Sequence, residues 1–163
     1  MTPHAESELT SPLARRFVDA LRTVEQDGDP EDMTALATAD TRWSSAGSEH
    51  PRVGPEGARE FWDAYRRAYA DITSHFTAVT ENGSRAVLEW VGTGHHHDGR
   101  PVRYVGATVL DLGDTAVDAV RLYFDTDAAR SAVVAAEAAG TGDDGDMLDD
   151  TTAASGRNSG LAP

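Results

Sequence analysis

The stretch that decides the fold is residues 72–125, ITSHFTAVTENGSRAVLEWVGTGHHHDGRPVRYVGATVLDLGDTAVDAVRLYFD. Apolar and polar residues alternate along most of it, which is the period of a strand with one buried face. Turn signals interrupt the alternation at Asn82-Gly83, Asp98-Gly99 and Gly113-Asp114. The stretch therefore predicts four strands joined as an antiparallel meander, over Ile72–Glu81, Arg85–Gly94, Val102–Leu112 and Val117–Asp125.

The residues before this stretch carry helical signals instead. Ser11-Pro12 provides an N-cap followed by proline at the first helical position, and Gly28 ends the helix. Gly54-Pro55-Glu56 opens another helix, and a short helix from Asp29-Pro30-Glu31 and a short strand over Asp40–Ser45 are expected between the two. The apolar stripes are Leu13, Phe17, Ala20, Leu21 and Val24 in the first helix, and Phe61, Tyr65, Ala68 and Tyr69, flanked by Trp62, in the later one.

Helices gathered before an antiparallel sheet predict an α+β fold, with the helices packed on one face of a curved sheet. Such a sheet encloses a cone whose open end is a natural ligand site. We expect residues 1–10 to be flexible and residues 11–139 to form one domain, closed by an Ala-rich helix that Thr126 caps. Residues 140–163 are acidic and poor in apolar side chains, so a disordered tail is expected there.

Composition excludes several classes of function. The chain has 163 residues and a formal net charge of -14, which repels nucleic acid and anionic membrane surfaces. It has no Cys, and no apolar run approaches the roughly 20 residues that span a bilayer. The polar N-terminus lacks a signal core, so a cytoplasmic location is expected. The phosphate-binding, dinucleotide-binding, serine-hydrolase and zinc-protease motifs are missing from the sequence, and we expect no cofactor.

Four stretches together resemble the SnoaL-like family, which shares the NTF2-like cone fold. They are GPEGAREFW at 54–62, AVLEW at 86–90 followed by GTGH at 92–95, GRPV at 99–102 and RLYFD at 121–125. The resemblance implies the NTF2-like fold of polyketide cyclases, ketosteroid isomerases, limonene-type epoxide hydrolases and many non-catalytic domains. It also implies a homodimer. Because fold does not settle function, the candidate residues are weighed one by one.

Asp125 is the first catalytic candidate, because the resemblance implies an acid/base Asp at the end of the last strand. Alternation puts Arg121, Tyr123 and Asp125 on one strand face, and the resemblance favours the pocket for that face. The alternatives are that this face is solvated or that Asp125 caps the following helix. Tyr65 is predicted to donate a hydrogen bond to an enolate oxygen of the substrate.

The histidine run 95–97 is the most conspicuous cluster. Alternation puts His95 and His97 on one face, and either His95 or His97 is a candidate general acid at the mouth of the cone, because His titrates near working pH. An exposed hairpin tip is the alternative. A metal site needs further ligands that the sequence does not announce, so none is expected.

The remaining candidates are predicted to bind the substrate or to shape its pocket. Glu89 lies among valines, either as a functional carboxylate or paired with Arg103 or Arg121 across the sheet. With Arg121 and Asp125 it would supply the residue types of an epoxide hydrolase. The predicted substrate-binding set is Trp43, Trp62, Glu89, Trp90, His95, Tyr104, Arg121 and Tyr123, although most aromatic residues of such a set are ordinary core.

These observations favour a cofactor-free enzyme of the cyclase or isomerase type that acts on an apolar, carbonyl-bearing small molecule. The alternatives are a non-catalytic ligand-binding or dimer-scaffold module, and an epoxide hydrolase-like enzyme. The polarity of the cavity distinguishes these classes, because an enzyme needs a buried titratable group with a partner.

Overall fold

The computed structural model describes residues 4–126. A 3-10 turn, Ala5–Glu8, precedes helices α1 (Pro12–Asp27), α2 (Glu31–Thr34) and α3 (Gly54–Arg67). The strands are β1 (Ala37–Ser45), β2 (Arg52–Val53), β3 (Asp71–Glu81), β4 (Arg85–His95), β5 (Pro101–Leu112) and β6 (Val117–Phe124). The α+β class and the NTF2-like cone are confirmed. No helix of the described part is long and apolar enough to cross a membrane.

Helix α1 begins and ends where its sequence signals predict. The Ser11 hydroxyl accepts a hydrogen bond from the Ala14 amide at 3.2 Å, with Pro12 in the first turn. Gly28 ends the helix in the left-handed conformation, at a φ of 74° that favours glycine. The buried face of α1 includes the predicted apolar stripe and one charged residue, Glu25.

Within residues 4–126 the sheet has six strands in the order β2-β1-β6-β5-β4-β3. The predicted meander is present, since β3, β4, β5 and β6 pair antiparallel in sequence order. Strand β1 pairs parallel with β6 and antiparallel with β2, the two-residue strand that was not predicted. The long α3 packs against β1 and lies over the inner face of the sheet.

Alternation along β4, β5 and β6 divides the sheet into two faces. The inner face carries Leu88 and Leu110, both fully buried, and on β6 it carries Val120 and Leu122. Together with the helices these residues form the main core. A second, smaller cluster of Ile72, Trp90, Val102 and Tyr104 lies on the same face toward the other end of these strands. The cone interior is therefore filled at one end and lined with aromatic rings at the other.

Residues 9–11 connect the start of α1 to the core and to the sheet. Leu9 is fully buried in the core, and the amides of Thr10 and Ser11 donate to the Glu81 carboxylate at 2.7 and 3.0 Å. These bonds tie the start of α1 to the end of β3. The predicted closing helix and acidic tail lie beyond Thr126, outside the described residues.

We predict that Glu81→Gln lowers the free energy of unfolding at neutral pH by about 1 kcal/mol, because the hydrogen bonds lose their charged acceptor. Burial opposes ionisation of Glu81, but the bonds from Thr10 and Ser11 outweigh it and lower its pKa. A carboxyl group whose pKa is lowered by folding stabilises the protein at pH values above its pKa in the unfolded chain. This stability is lost as the pH falls through the pKa of the folded state. Urea unfolding across this range measures both effects.

The exposed Glu49→Gln is the matched control, and it should leave the unfolding curve unchanged. A Glu81→Gln protein as stable as the wild type at neutral pH would contradict the prediction. So would a difference in stability that persists undiminished at low pH.

Candidate functional site

A cavity of about 240 Å³ lies between α3 and the inner face of the sheet. Its buried walls include Phe61, Trp90, Tyr104 and Leu122, whereas Ser48, Arg52, Ala64 and Ala68 are exposed and mark its open side. The complete lining is Ser45, Ser48, Arg52, Phe61, Ala64, Tyr65, Ala68, Tyr69, Trp90, Tyr104, Leu122 and Phe124. Mostly apolar walls with a few hydroxyl groups are typical of small-molecule pockets.

The aromatic walls depend on two glycines in the sheet. Trp90 pairs across the strands with Gly106, and Tyr104 pairs with Gly92. A Cβ at position 106 would lie 2.6 Å from the Trp90 ring, and one at position 92 would lie 3.1 Å from the Tyr104 ring. Each ring therefore occupies the space that a side chain on the opposite strand would take.

Trp90 is fixed further by a hydrogen bond from its indole nitrogen to the Thr108 hydroxyl at 2.9 Å. Its ring meets Tyr104 edge to face at a centroid distance of 5.3 Å. Tyr104 in turn stacks on Tyr69 at 6.1 Å and meets Phe124 at 5.7 Å. The rings form one contiguous aromatic surface around the cavity.

Behind this surface lies a buried carboxylate. Glu25, on α1, is 7 % exposed and does not itself line the cavity. Its Oε1 accepts hydrogen bonds from the Tyr65 hydroxyl at 2.9 Å and the Ser74 hydroxyl at 2.7 Å. Its Oε2 accepts a bond from the Ser74 amide at 3.1 Å. Three hydrogen-bond donors thus compensate the buried carboxylate for the loss of its contacts with water.

The surroundings keep two cavity phenols protonated. Burial raises the pKa of Tyr65 well above its usual value, and the charge of Glu25 raises it further. Burial likewise raises the pKa of Tyr104, and the neighbouring Tyr65 and Tyr69 add to the effect. Both hydroxyl groups therefore keep their protons at neutral pH and remain hydrogen-bond donors.

Asp125 does not lie in this cavity, contrary to the expected pocket position. The alternation predicted for β6 is correct, but Leu122 and Phe124 face the cavity, so Tyr123 and Asp125 face outward. The reason is core packing: Val120 and Leu122 belong to the same hydrophobic core as the helices, so their face of β6 points inward. Asp125 and Tyr123 are exposed beside Glu89 in a shallow groove on the outer face.

The expected pairing of Glu89 with Arg103 or Arg121 is also absent. Arg121 pairs instead with Asp111, at 2.5 Å from its Nη1. No ion pair joins Glu89 to another of the described residues. Because Glu89, Arg121 and Asp125 all belong to the outer face, they do not form an epoxide hydrolase-like constellation in the cavity.

The three histidines lie at the end of β4 and in the turn that follows it. His97 lies 2.8 Å from the carbonyl oxygen of Arg67, at the end of α3, and His95 lies 3.0 Å from the Asp71 carboxylate. Both are exposed and neither lines the cavity. His96 places its ring 5.9 Å from that of Tyr69. Within residues 4–126, no group of three or more acidic, His or Cys side chains is arranged to hold a metal ion.

Two of the predicted tryptophans belong to the core rather than the cavity wall. Trp43 is fully buried and its indole donates to the Gly54 carbonyl at 3.1 Å. Trp62 is 1 % exposed and packs edge to face on Trp43, Phe61 and Tyr65. The predicted residues that do meet at the cavity are Tyr65, Trp90 and Tyr104.

The family model of the SnoaL-like domain matches residues 14–120, which include most of α1, all of α3 and most of the sheet. The chain belongs to the SnoaL-like family. A search of the curated proteins gave no match.

Solved structures show the same fold as this SnoaL-like domain. A protein from Acidithiobacillus ferrooxidans named a polyketide cyclase is 17% identical, with a TM-score of 0.67, over 79% of this chain and 99% of its own. An NTF2-like protein from Anabaena variabilis is 20% identical, with a TM-score of 0.65, over 75% and 98%. TerC, co-crystallised with polyporic acid, is 17% identical, with a TM-score of 0.65, over 76% and 99%. At these identities the likeness shows the fold alone.

Glu25 and Ser74 were not predicted as site residues. Glu25 does carry a signal, since it falls four residues after Leu21 and eight after Phe17, on the apolar stripe of α1. A charged residue at a core position is costly unless it is paired, so it indicates either a network or a function. Ser74 has no comparable signal, because a small polar residue in a strand is common.

We predict that at least two of the four tyrosines do not ionise in the folded protein at pH values where free phenols do, because burial raises the pKa of Tyr65 and Tyr104. The ultraviolet absorbance of phenolate during an alkaline titration measures this. Their raised pKa contributes stability below pH 10 that is lost at higher pH, so their ionisation should coincide with unfolding.

Tyr65→Phe and Tyr104→Phe should each remove one tyrosine from the late step of the titration. A native protein in which all four tyrosines ionise together near pH 10, with its circular dichroism unchanged, would contradict the prediction.

Proposed function

We propose that the chain is a cofactor-independent acid/base enzyme, of the cyclase or isomerase type, acting on an apolar, carbonyl-bearing small molecule in the inner cavity. The observation that carries the proposal is the buried Glu25 carboxylate, hydrogen-bonded to the hydroxyl of a tyrosine on the cavity wall. A buried titratable group with a partner beside an apolar pocket is what proton-transfer chemistry needs.

Glu25 lies behind Tyr65, so the proton reaches it through the phenol. In the proposed step, a C–H bond next to the ligand's carbonyl breaks and its proton moves to Tyr65 Oη. The O–H proton of Tyr65 passes to Glu25, and the electron pair stays on the ligand as an enolate. Return of the proton to another carbon isomerises the ligand. Alternatively, the enolate carbon attacks a second carbonyl of the ligand, the C=O π bond breaks as the ring closes, and the proton held by Glu25 returns through Tyr65 to the resulting alkoxide oxygen.

The enolate oxygen needs a hydrogen-bond donor, and Tyr65 cannot serve while its proton is directed at Glu25. Tyr104 takes this role in the proposal, because burial keeps its hydroxyl protonated and its ring lines the same cavity. In this proposal Tyr104, and not Tyr65 as the sequence predicts, donates the hydrogen bond to the enolate oxygen. Asp125, His95 and His97 have no part in the proposed step, since they lie outside the cavity.

The test is hydrogen–deuterium exchange into 2-tetralone, a compact aromatic ketone, followed by NMR in D2O. We predict that the wild-type protein accelerates exchange next to the carbonyl. Glu25→Gln and Tyr65→Phe should each lower the protein-dependent rate about 100-fold, since each variant interrupts the relay.

Asp19→Asn is the matched control, because Asp19 lies on the solvent side of the same helix as Glu25. It should keep the wild-type exchange rate. A Glu25→Gln variant that exchanges as fast as the wild type would overturn the proposal. A wild-type protein that binds the ketone without accelerating exchange would favour the non-catalytic binding module.

We further propose that two copies pair through the outer face of the sheet. Val105 and Tyr123 are each 50% exposed there and share a groove with Val87 and Val91. Exposed apolar surface of this kind is typical of association surfaces. The SnoaL-like family resemblance supports a homodimer independently.

We predict that Val105→Glu shifts the protein from dimer to monomer, because it places two like charges in the proposed interface. Size-exclusion chromatography with light scattering measures the mass. Val53→Glu is the control, since Val53 is 52% exposed on the edge strand β2 and lies outside the groove. A monomeric wild type, or a dimer unaffected by Val105→Glu, would contradict the proposed interface.

A further inference from the structure

The hydrogen bonds around Glu25 fix the polarity that Tyr65 offers to a bound molecule. The Ser74 amide can only donate, and it occupies Oε2 of the carboxylate. The hydroxyl groups of Ser74 and Tyr65 share Oε1. A phenol has a single proton, so the proton of Tyr65 is committed to Glu25. The hydrogen-bonding capacity that Tyr65 keeps is the lone pairs of its oxygen, which accept.

We propose that the cavity selects ligands that present a hydrogen-bond donor, a phenolic or enolic hydroxyl on a flat ring, to the oxygen of Tyr65. This inference rests on the proposed function, because it names the class of ligand that the same site binds. A carbonyl compound meets the requirement in its enol form. A ligand that offers only an acceptor can take a hydrogen bond from Tyr104, but it leaves the oxygen of Tyr65 without a donor.

The rest of the cavity fits such a ring. The rings of Trp90 and Tyr104 meet at an interplanar angle of 89°, so a flat molecule that stacks on one ring meets the edge of the other. The polar groups on the open side have partners of their own, since the Ser45 and Ser48 hydroxyls lie 3.1 Å apart and the Arg52 guanidinium pairs with Glu60. The phenols of Tyr65 and Tyr104 are polar groups on the less exposed walls, where a bound ring would lie.

The same network predicts how the preference can be reversed. In Glu25→Gln, the amide oxygen can take the Oε2 position and accept from the Ser74 amide. The amide nitrogen then takes the Oε1 position, where its two protons are donated to the oxygens of Ser74 and Tyr65. All three bonds are kept, so the fold is retained. Tyr65 now accepts from residue 25, and its own proton is free for the ligand.

The experiment measures the affinities of two probes by isothermal titration calorimetry: 2-naphthol, which donates a hydrogen bond, and 2-methoxynaphthalene, which only accepts. The ratio of the two affinities is compared between proteins, because the difference in hydrophobicity between the probes cancels. We predict a ratio in favour of the naphthol that is at least about ten-fold larger in the wild type than in Tyr65→Phe. In Glu25→Gln the ratio should fall by a similar factor, as the ether gains a donor.

Asp19→Asn should keep the wild-type ratio. A wild-type ratio equal to that of Tyr65→Phe would overturn the donor preference even if both probes bind. The Tyr65→Phe comparison remains decisive if Glu25→Gln fails to fold. A donor preference without exchange into 2-tetralone would leave this inference standing and refute the proposed enzyme. Failure of both probes to bind the wild type would refute the ligand cavity itself and this inference with it.

Discussion

The burial of the Glu25 carboxylate is the constraint on which the arrangement of the cone depends. Its partners come from different elements, since Glu25 belongs to α1, Tyr65 to α3 and Ser74 to β3. A buried charge is tolerated only when its donors are in place, so a shift of either helix over the sheet would leave it unsatisfied. The network therefore holds both helices at one position on the sheet, and Tyr65 at the cavity wall.

Two glycines in the sheet, Gly92 and Gly106, make room for the aromatic rings of the site. The cross-strand pairs of Trp90 with Gly106 and of Tyr104 with Gly92 give each ring a neighbour that leaves room for it. The aromatic walls thus lie close to the backbone, and the space above them stays open. At the other end of the same strands, Leu88 and Leu110 fill the interior and stabilise the fold.

Most of the fold could be predicted from the sequence, because the signals were local: period-two alternation, three turn dipeptides, and caps at Ser11 and Gly28. Strand β2 could not, since two residues carry no period, and neither could the parallel pairing of β1 with β6, which joins distant segments. The site was predicted less well. Alternation separated Asp125 from Phe124 correctly, but only packing against the helices decides which of the two faces inward. Glu25 was overlooked although its position on an apolar helix face marked it.

The three tryptophans differ in a way that gives the protein an internal optical reporter. Trp43 and Trp62 are buried in the core and do not line the cavity. Trp90 lies in the cavity wall, with its indole nitrogen anchored on Thr108. A molecule that enters the cone contacts one of the three fluorophores directly, so its binding can be followed by tryptophan emission without a label.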